Sequence, residues 1–131
     1  MFATRAASWL GALEANENEV SDSQPQLSVV VPCHNEEANL RQLVATLSEA
    51  LAPLNLAYEL IITDDRSTDG SWDLLKQMAA NDPRLRAQRF EKNSGQSAAL
   101  WAGIRAARGA WIATLDADLQ NDPRDLPLLL E

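Results

Sequence analysis

The sequence predicts an α/β fold in which a parallel sheet lies between two layers of helix, a three-layer α/β/α arrangement. Three observations carry this expectation. From Leu27 onward, short aliphatic runs alternate with stretches of helical periodicity, the links between them are short, and each apolar run ends directly in a polar cluster. Alternation of this kind requires parallel strands, because the chain must cross over the sheet between neighbours and a helix fills the crossover.

Residues 1–26 differ from the rest. Glu14, Glu17, Glu19 and Asp22 crowd a segment that closes on Ser23, Gln24 and Pro25 and holds few large apolar groups. Such a segment buries too little apolar surface to offset the entropy of ordering it. It is expected to be a flexible acidic leader, with one loose helical turn over residues 6–13, ahead of a domain spanning 27–131.

Each later element has its own signal. Leu27, Val29, Val30 and Val31 form a short apolar run closed by Pro32, as in a strand buried on both faces. Leu40, Leu43, Val44, Leu47 and Leu51 then repeat at helical spacing and give one apolar face over residues 36–51. Residues 58–63 form a second strand. Thr68 or Asp69 is placed to cap a helix carrying Trp72, Leu75 and Met78, which stops near Pro83. Residues 86–90 make a weaker, more polar strand of the kind found at a sheet edge. Gly95 precedes an alanine-rich helix through Trp101 and Ile104, ending near Gly109, and residues 110–115 form the fourth strand. Asp122 and Pro123 read as the cap and first turn of a last helix.

Composition bounds the function. The 131 residues carry a formal net charge of −8, with 46% hydrophobic and 23% charged residues, as in an ordinary globular domain. That charge repels nucleic-acid phosphates and anionic lipid, so nucleic acid is not an expected partner. Cys33 is the single cysteine, so an intrachain disulfide is excluded, which fits a reducing cytosol. No apolar run reaches the roughly 20 residues that a membrane-spanning helix needs, and the first residues lack the apolar core of a secretory signal. A cytoplasmic location is expected.

Ligands of parallel α/β sheets bind beyond the carboxyl ends of the strands, and the polar clusters all fall there. Asp116 and Asp118 follow the fourth strand two residues apart, so both carboxylates can face one object. Alone they repel; a hard divalent cation, Mg2+ or Mn2+, relieves the repulsion, and ligand phosphate oxygens would complete its shell. An isolated pair of this kind is most often a solvated loop. Asp64 to Gly70 follow the second strand: Asp65 is a candidate acceptor for a base edge or ribose hydroxyls, whereas Asp69 and Gly70 suit turn and cap chemistry. At the first strand end stand Pro32, Cys33, His34, Asn35 and Glu36. Their backbone amides are candidates to face a ligand. His34 either stacks on a base or is a plain loop residue, and Asn35 or Glu36 either caps the helix or contacts ligand. Lys92 to Gln96 put a cation and a glycine before a helix start, an anion-facing turn in outline.

Taken together, these pieces resemble family 2 glycosyltransferases of the GT-A fold, whose nucleotide-binding half is a Rossmann-like sheet. The matching stretches run from Val29 to Leu40, Asp64 to Gly70, Lys92 to Gln96 and Leu115 to Gln120. The last resembles most closely the polyprenyl-phosphate branch, which includes dolichol-phosphate mannosyltransferases and undecaprenyl-phosphate glycosyltransferases. The resemblance implies that Pro32, His34 and Glu36 contact the nucleotide, that Thr63 and Asp65 bind its base, and that Asp116, Ala117 and Asp118 hold donor diphosphate. Asp116 and Asp118, with Gln120, would serve the metal. Two departures stand out: His34 replaces a common tyrosine, and Arg66 replaces a frequent small residue. The implied reaction moves a sugar, with inversion, from a UDP- or GDP-sugar to a polyprenyl phosphate acceptor at the cytoplasmic face of a membrane, in cell-envelope glycan biosynthesis.

Rival readings rest on the same residues. Leu115, Asp116, Ala117 and Asp118 also resemble the nucleophile loop of haloacid-dehalogenase-like phosphatases, but there Thr or Val follows rather than Leu119 and Gln120. A receiver domain would use Asp64 and Asp65 but needs a later lysine on a further strand. A non-catalytic nucleotide-binding module is the third alternative. Enzymes of the resembled kind are roughly twice this length, so acceptor-side catalytic residues are unassigned and self-association through uncovered apolar sheet surface is expected. The 131-residue chain is expected to bind nucleotide without turning over. Release of nucleoside diphosphate from this chain, supplied with a nucleotide-sugar and a polyprenyl phosphate, would contradict that.

Overall fold

A computed structural model describes residues 1–5 and 24–130. Among them, β1 (Phe2–Arg5), β2 (Leu27–Cys33), β3 (Tyr58–Asp64), β4 (Leu85–Arg89) and β5 (Trp111–Thr114) form one sheet in the order β1-β5-β2-β3-β4. Four helices accompany it: α1 (Leu40–Leu51), α2 (Ser71–Asn81), α3 (Gln96–Ala106) and the short α4 (Leu126–Leu129). The four strands from β2 to β5 are parallel, as expected, and the polar β4 lies at an edge.

The first residues of the expected leader depart from expectation. Phe2–Arg5 pairs antiparallel with β5, Phe2 opposite Thr114 and Arg5 opposite Trp111. Without it, β5 would present an open row of backbone amides and carbonyls. Such pairing is made by the backbone and needs no hydrophobic alternation, so composition gave no sign of it. The helical turn expected over residues 6–13 lies outside the described residues.

Both faces of the sheet are covered. On one, Leu27, Val29, Val31, Leu60 and Ile62 pack with Leu40, Leu43, Leu47 and Leu51 of α1, Leu75 of α2 and Leu126 of α4. Each buried leucine contributes roughly 1.5–3 kcal/mol, so the α1 stripe is the largest helical contribution to this core. On the other face, Val30 and Ile112 meet Leu100 and Ile104 of α3. This layer is thin because α3 sits close: a Cβ on Gly103 would stand 2.4 Å from Val30 Cγ1. Apolar exposure among the described residues is dispersed, with Leu128 and Leu129 adjacent on α4 and Leu54, Trp101 and Trp111 on separate elements.

Pro32 continues β2 rather than ending it. The Cys33 carbonyl accepts from the Asp65 amide and the Val30 carbonyl from the Leu115 amide. Alternation therefore turns the Pro32 nitrogen toward β5, whose pairing with β2 ends at Thr114 opposite Val30. Its missing N–H costs no ladder bond.

The amino-terminal ends of the strands are joined by a buried carboxylate. Glu59, 4% exposed, accepts from Ser28 Oγ at 2.6 Å, Arg86 Nη1 at 2.7 Å and the Arg108 amide at 2.7 Å. Burial opposes its ionisation, but the hydrogen bonds from Ser28, Arg108 and Arg86, with the Arg86 charge, outweigh burial and hold the carboxyl below its ordinary 4.5. A depressed value means the contribution is present above the unfolded pKa and is lost as pH falls through the folded one. Glu59→Ala should therefore destabilise the chain by about 2–3 kcal/mol at neutral pH. In urea unfolding between pH 7 and pH 3 the variant should also lose less stability than the parent. Equal stability with an unchanged acid limb would contradict this role.

Candidate functional site

The strand order locates the crevice. From β2 the chain steps outward through β3 and β4, then returns to place β5 on the other side of β2. The gap beyond the carboxyl ends of β2 and β5 is thus the topological switch point, where ligands of open α/β sheets bind. A cleft of about 410 Å³ opens there. Pro32, His34 and Glu36 line it from the turn after β2, and Asp65 from the end of β3. Gln96 and Ala99 line it from α3, and Asp116, Ala117, Asp118 and Gln120 from the loop after β5. All but one of the expected site residues are therefore brought together. The exception is Thr63, which is fully buried and accepts from Gln88 Nε2 at 2.7 Å, on the face of the sheet that α3 covers.

The turn after β2 is built by its neighbour after β3. Asn35, at φ +54, donates its amide to Ser67 Oγ at 2.8 Å and accepts the Thr68 amide on Oδ1 at 2.8 Å. The Glu36 amide donates to Ser71 Oγ at 3.0 Å and the Glu37 amide to Asp69 Oδ2 at 3.4 Å. Of the amides expected to face a ligand, those of Asn35 and Glu36 are engaged by the adjoining loop and the start of α2 instead. Asp69 also accepts the Ser71 amide at 2.9 Å, the turn chemistry expected of it, but the N-cap of α2 is Gly70 rather than Thr68 or Asp69. Glu36 accepts from Asn39 Nδ2 at 2.8 Å while lining the cleft. Asn35, Ser67 and Ser71 carry no periodic signal, which is why their role in joining the two loops was not read from the sequence. Arg66, the departure at a small-residue position, takes φ +56, a conformation that disfavours any side chain.

Two adjacent carboxylates at the β3 end do different work. Asp64 is fully buried and accepts from the Ser67 amide at 3.1 Å and from Ser67 Oγ. Arg89 Nε stands 3.3 Å from it without hydrogen-bond geometry, so that pairing is coulombic. Asp65, 4% exposed, accepts the Ser94 amide on one oxygen at 2.6 Å and the Gly95 amide on the other at 2.9 Å. The turn at Lys92 to Gln96 does face an anion, and that anion is Asp65. The Asp65 carbonyl also accepts from His34 Nδ1 at 2.9 Å and Asn93 Nδ2 at 3.2 Å. A carbonyl only accepts, so Nδ1 is the protonated ring nitrogen of His34.

Asp116 and Asp118 are disposed otherwise. Leu115 and Ala117 are buried between and beside them, while Asp116 is half-buried and Asp118 exposed, the alternation expected of residues two apart. Asp118 Oδ1 accepts the Gln120 amide at 3.0 Å, closing a turn that holds Leu119 at φ +64. A leucine in this conformation is unusual, and its side chain packs against the main core. Asp116 Oδ1 is reached by Gln96 Nε2 at 3.4 Å. Among the described residues no lysine or arginine pairs with either carboxylate. Uncompensated carboxylates on one wall suit a hard divalent cation. Among the described residues no group of three or more His, Cys, Asp or Glu gathers to hold a metal by itself. The donor set thus fits a cation shared with a ligand's phosphates rather than one caged by protein.

Cys33 also lines the cleft but is chemically quiet. Burial, aided by the Asp64 charge, pushes its thiol up to about 12, so no thiolate is available at neutral pH.

Comparison with known proteins bears on this geometry. The family model described as glycosyl transferase family 2 matches residues 28–131. An undecaprenyl-phosphate 4-deoxy-4-formamido-L-arabinose transferase of Aeromonas hydrophila is 43% identical over 106 residues, covering 80% of this chain and 32% of that protein. A dodecaprenyl-phosphate galacturonate synthase of Rhizobium johnstonii is 42% identical, covering 80% of this chain and 31% of that protein. The chain therefore spans about a third of the length of these relatives. Among solved structures, the mannosyltransferase PcManGT from Pyrobaculum calidifontis, in complex with GDP-Man and Mn2+, superposes with a TM-score of 0.66 at 26% identity. That match covers 92% of this chain and 35% of the other. S. aureus TarS 1-349 in complex with UDP superposes with a TM-score of 0.62 at 26% identity, over 71% of this chain and 27% of that one. With a family model spanning its parallel strands β2 to β5 and a fold shared with a solved mannosyltransferase, the chain belongs to glycosyl transferase family 2.

Proposed function

We propose that the cleft is the donor half of an active site that transfers a sugar, with inversion, from a nucleotide-sugar to a polyprenyl phosphate. The observation that carries this reading is the pair Asp116 and Asp118, which line the cleft at the switch point beside β2 and have no cationic partner among the described residues. GDP-Man with Mn2+ and UDP, named with two structural neighbours, and the polyprenyl-phosphate transferases among the relatives support it.

In this reading the donor diphosphate lies along Asp116, Ala117 and Asp118. Pro32, His34 and Glu36 border the nucleoside, with the His34 imidazole supplying the stacking surface that a tyrosine gives elsewhere in the family. Asp116 and Asp118, with Gln120 beside them, would hold Mg2+ or Mn2+, which when bound offsets negative charge on the departing diphosphate. Gln96 steadies Asp116, and the turn closed by Asp118 and the Gln120 amide fixes the second carboxylate. A phosphate oxygen of the acceptor forms the new bond to the anomeric carbon while the bond from that carbon to the diphosphate oxygen breaks on the opposite face. An acceptor phosphate is already anionic at neutral pH, so a strong general base is less needed than for a sugar hydroxyl. Such an acceptor places the reaction at the cytoplasmic face of a membrane. Among the described residues no helix is long and apolar enough to cross one.

Calorimetry with UDP and GDP, each with and without Mn2+, tests this. Mn2+ should tighten binding of at least one of them by about tenfold or more, and Asp118→Asn should remove most of that gain. Binding that ignores Mn2+, or no binding to either nucleotide, would count against the donor-site reading.

A further inference from the structure

β1 lies against both ends of the loop that carries Asp116 and Asp118. That loop leaves β5 directly after Thr114, and β5 is only four residues long. On one side β5 pairs with β2; on the other it pairs with β1, Phe2 opposite Thr114 and Thr4 opposite Ile112. The Trp111 amide donates to the Gln26 carbonyl at 3.0 Å and the Leu115 amide to the Val30 carbonyl at 3.1 Å, both toward β2. Alternation therefore turns the Ile112 and Thr114 amides toward β1, level with Thr4 and Phe2. At the far side of the loop, the Met1 amino group stands 3.5 Å from Asn121 Oδ1, and α4, which follows the loop, lies against β1. Met1 and Ala3 pack on the core cluster that includes Leu115, Ala117 and Leu126.

We propose that β1 is a strap that positions Asp116 and Asp118 for a shared cation. Its ladder fixes where the loop leaves the sheet, and Met1 with Asn121 fixes where the loop turns toward α4. Two like charges relieve their repulsion by moving apart. A loop held at both ends denies them that movement, so the pair stays set for a cation that binds both. Without the strap, β5 is a four-residue edge held from one side, and the loop is free to spread. The positioning is done by the backbone of Phe2 and Thr4, because ladder bonds carry it; the Thr4 side chain is exposed. The proposal rests on the donor-site reading of the cleft.

The test uses the 131-residue chain, with UDP and GDP as probes, each with and without Mn2+, and measurement well below the unfolding temperature. Thr4→Pro removes the ladder donor opposite Ile112, whereas Thr4→Val keeps the amide and the branched shape. Thr4→Pro should cut the affinity gained from Mn2+ by about fivefold and leave metal-free binding within about twofold, and Thr4→Val should behave as the parent. An equal loss with and without Mn2+ would overturn the proposal. So would an unchanged Mn2+ gain with only a lowered unfolding temperature, by reducing β1 to an edge cover. Amide exchange without ligand gives an independent arm: Ile112, Thr114 and Leu115 should be protected in the parent and exchange faster in Thr4→Pro. Free exchange of Ile112 and Thr114 in the parent, or an unchanged Leu115 in the variant, refutes the strap even if neither nucleotide binds. Should Thr4→Pro fail to fold, Asn121→Ala should lower the Mn2+ gain by about threefold while Ile112 and Thr114 stay protected; an unchanged gain would overturn the proposal. Failure of the parent to bind UDP or GDP would refute the donor-site reading instead, and the exchange arm keeps the two failures apart.

Discussion

A rim that gathers carboxylates must satisfy each of them or leave it poised for a cation, and this division governs the whole site. Asp64, Asp65 and Asp69 accept backbone amides of neighbouring turns, and Glu37 accepts the Gly70 amide at 3.0 Å. These acidic groups are internal scaffolding: they replace water for orphaned amides at helix starts and turns. Among the described residues, Asp116 and Asp118 receive only a long contact from Gln96 and a local turn bond. Among the described residues no cation pairs with Asp116, Asp118 or Glu36, so the cleft wall they share is strongly negative.

The other end of the sheet solves a different problem with similar chemistry. Glu59 gathers the starts of β2, β3 and β4 and the loop before β5 through Ser28, Arg86 and Arg108. It lies at the opposite ends of the strands from the cleft, so anchoring there adds rigidity without placing charge beside a bound anion. Carboxylates act as fasteners at both ends of the strands, Glu59 at one and Asp64 and Asp65 at the other.

Much of the fold was legible because it rests on periodicity. The leucines of α1 and the aliphatic runs of β2, β3 and β5 each had a pattern that only one local structure satisfies. The cleft was legible because strand ends are marked by polar residues and the topology places them together. What periodicity does not encode was missed. β1 is recruited by an open backbone edge, and Pro32 stays in β2 because its nitrogen faces beyond the β5 ladder. Thr63 and Asp65 are neighbours of one strand end, yet Thr63 turns under α3 while Asp65 turns into the loop before it. The amides of residues 35–37 went to Ser67, Ser71 and Asp69, partners more than 30 residues away that no local signal links to them. The motif residues left a phosphatase, a receiver domain and a non-catalytic nucleotide-binding module open beside a transferase, and the family match removes the first two.

The central claim is that Asp116 and Asp118 bind a cation together with a nucleotide's diphosphate. A crystal structure of the chain with Mn2+ and UDP or GDP, with anomalous data collected at the manganese edge, tests it most directly. One anomalous peak is expected within coordination distance, about 2 Å, of both an Asp116 or Asp118 carboxylate oxygen and a diphosphate oxygen, with the nucleoside lying toward His34 and Glu36. A nucleotide bound elsewhere, or manganese bound away from both aspartates, would contradict it.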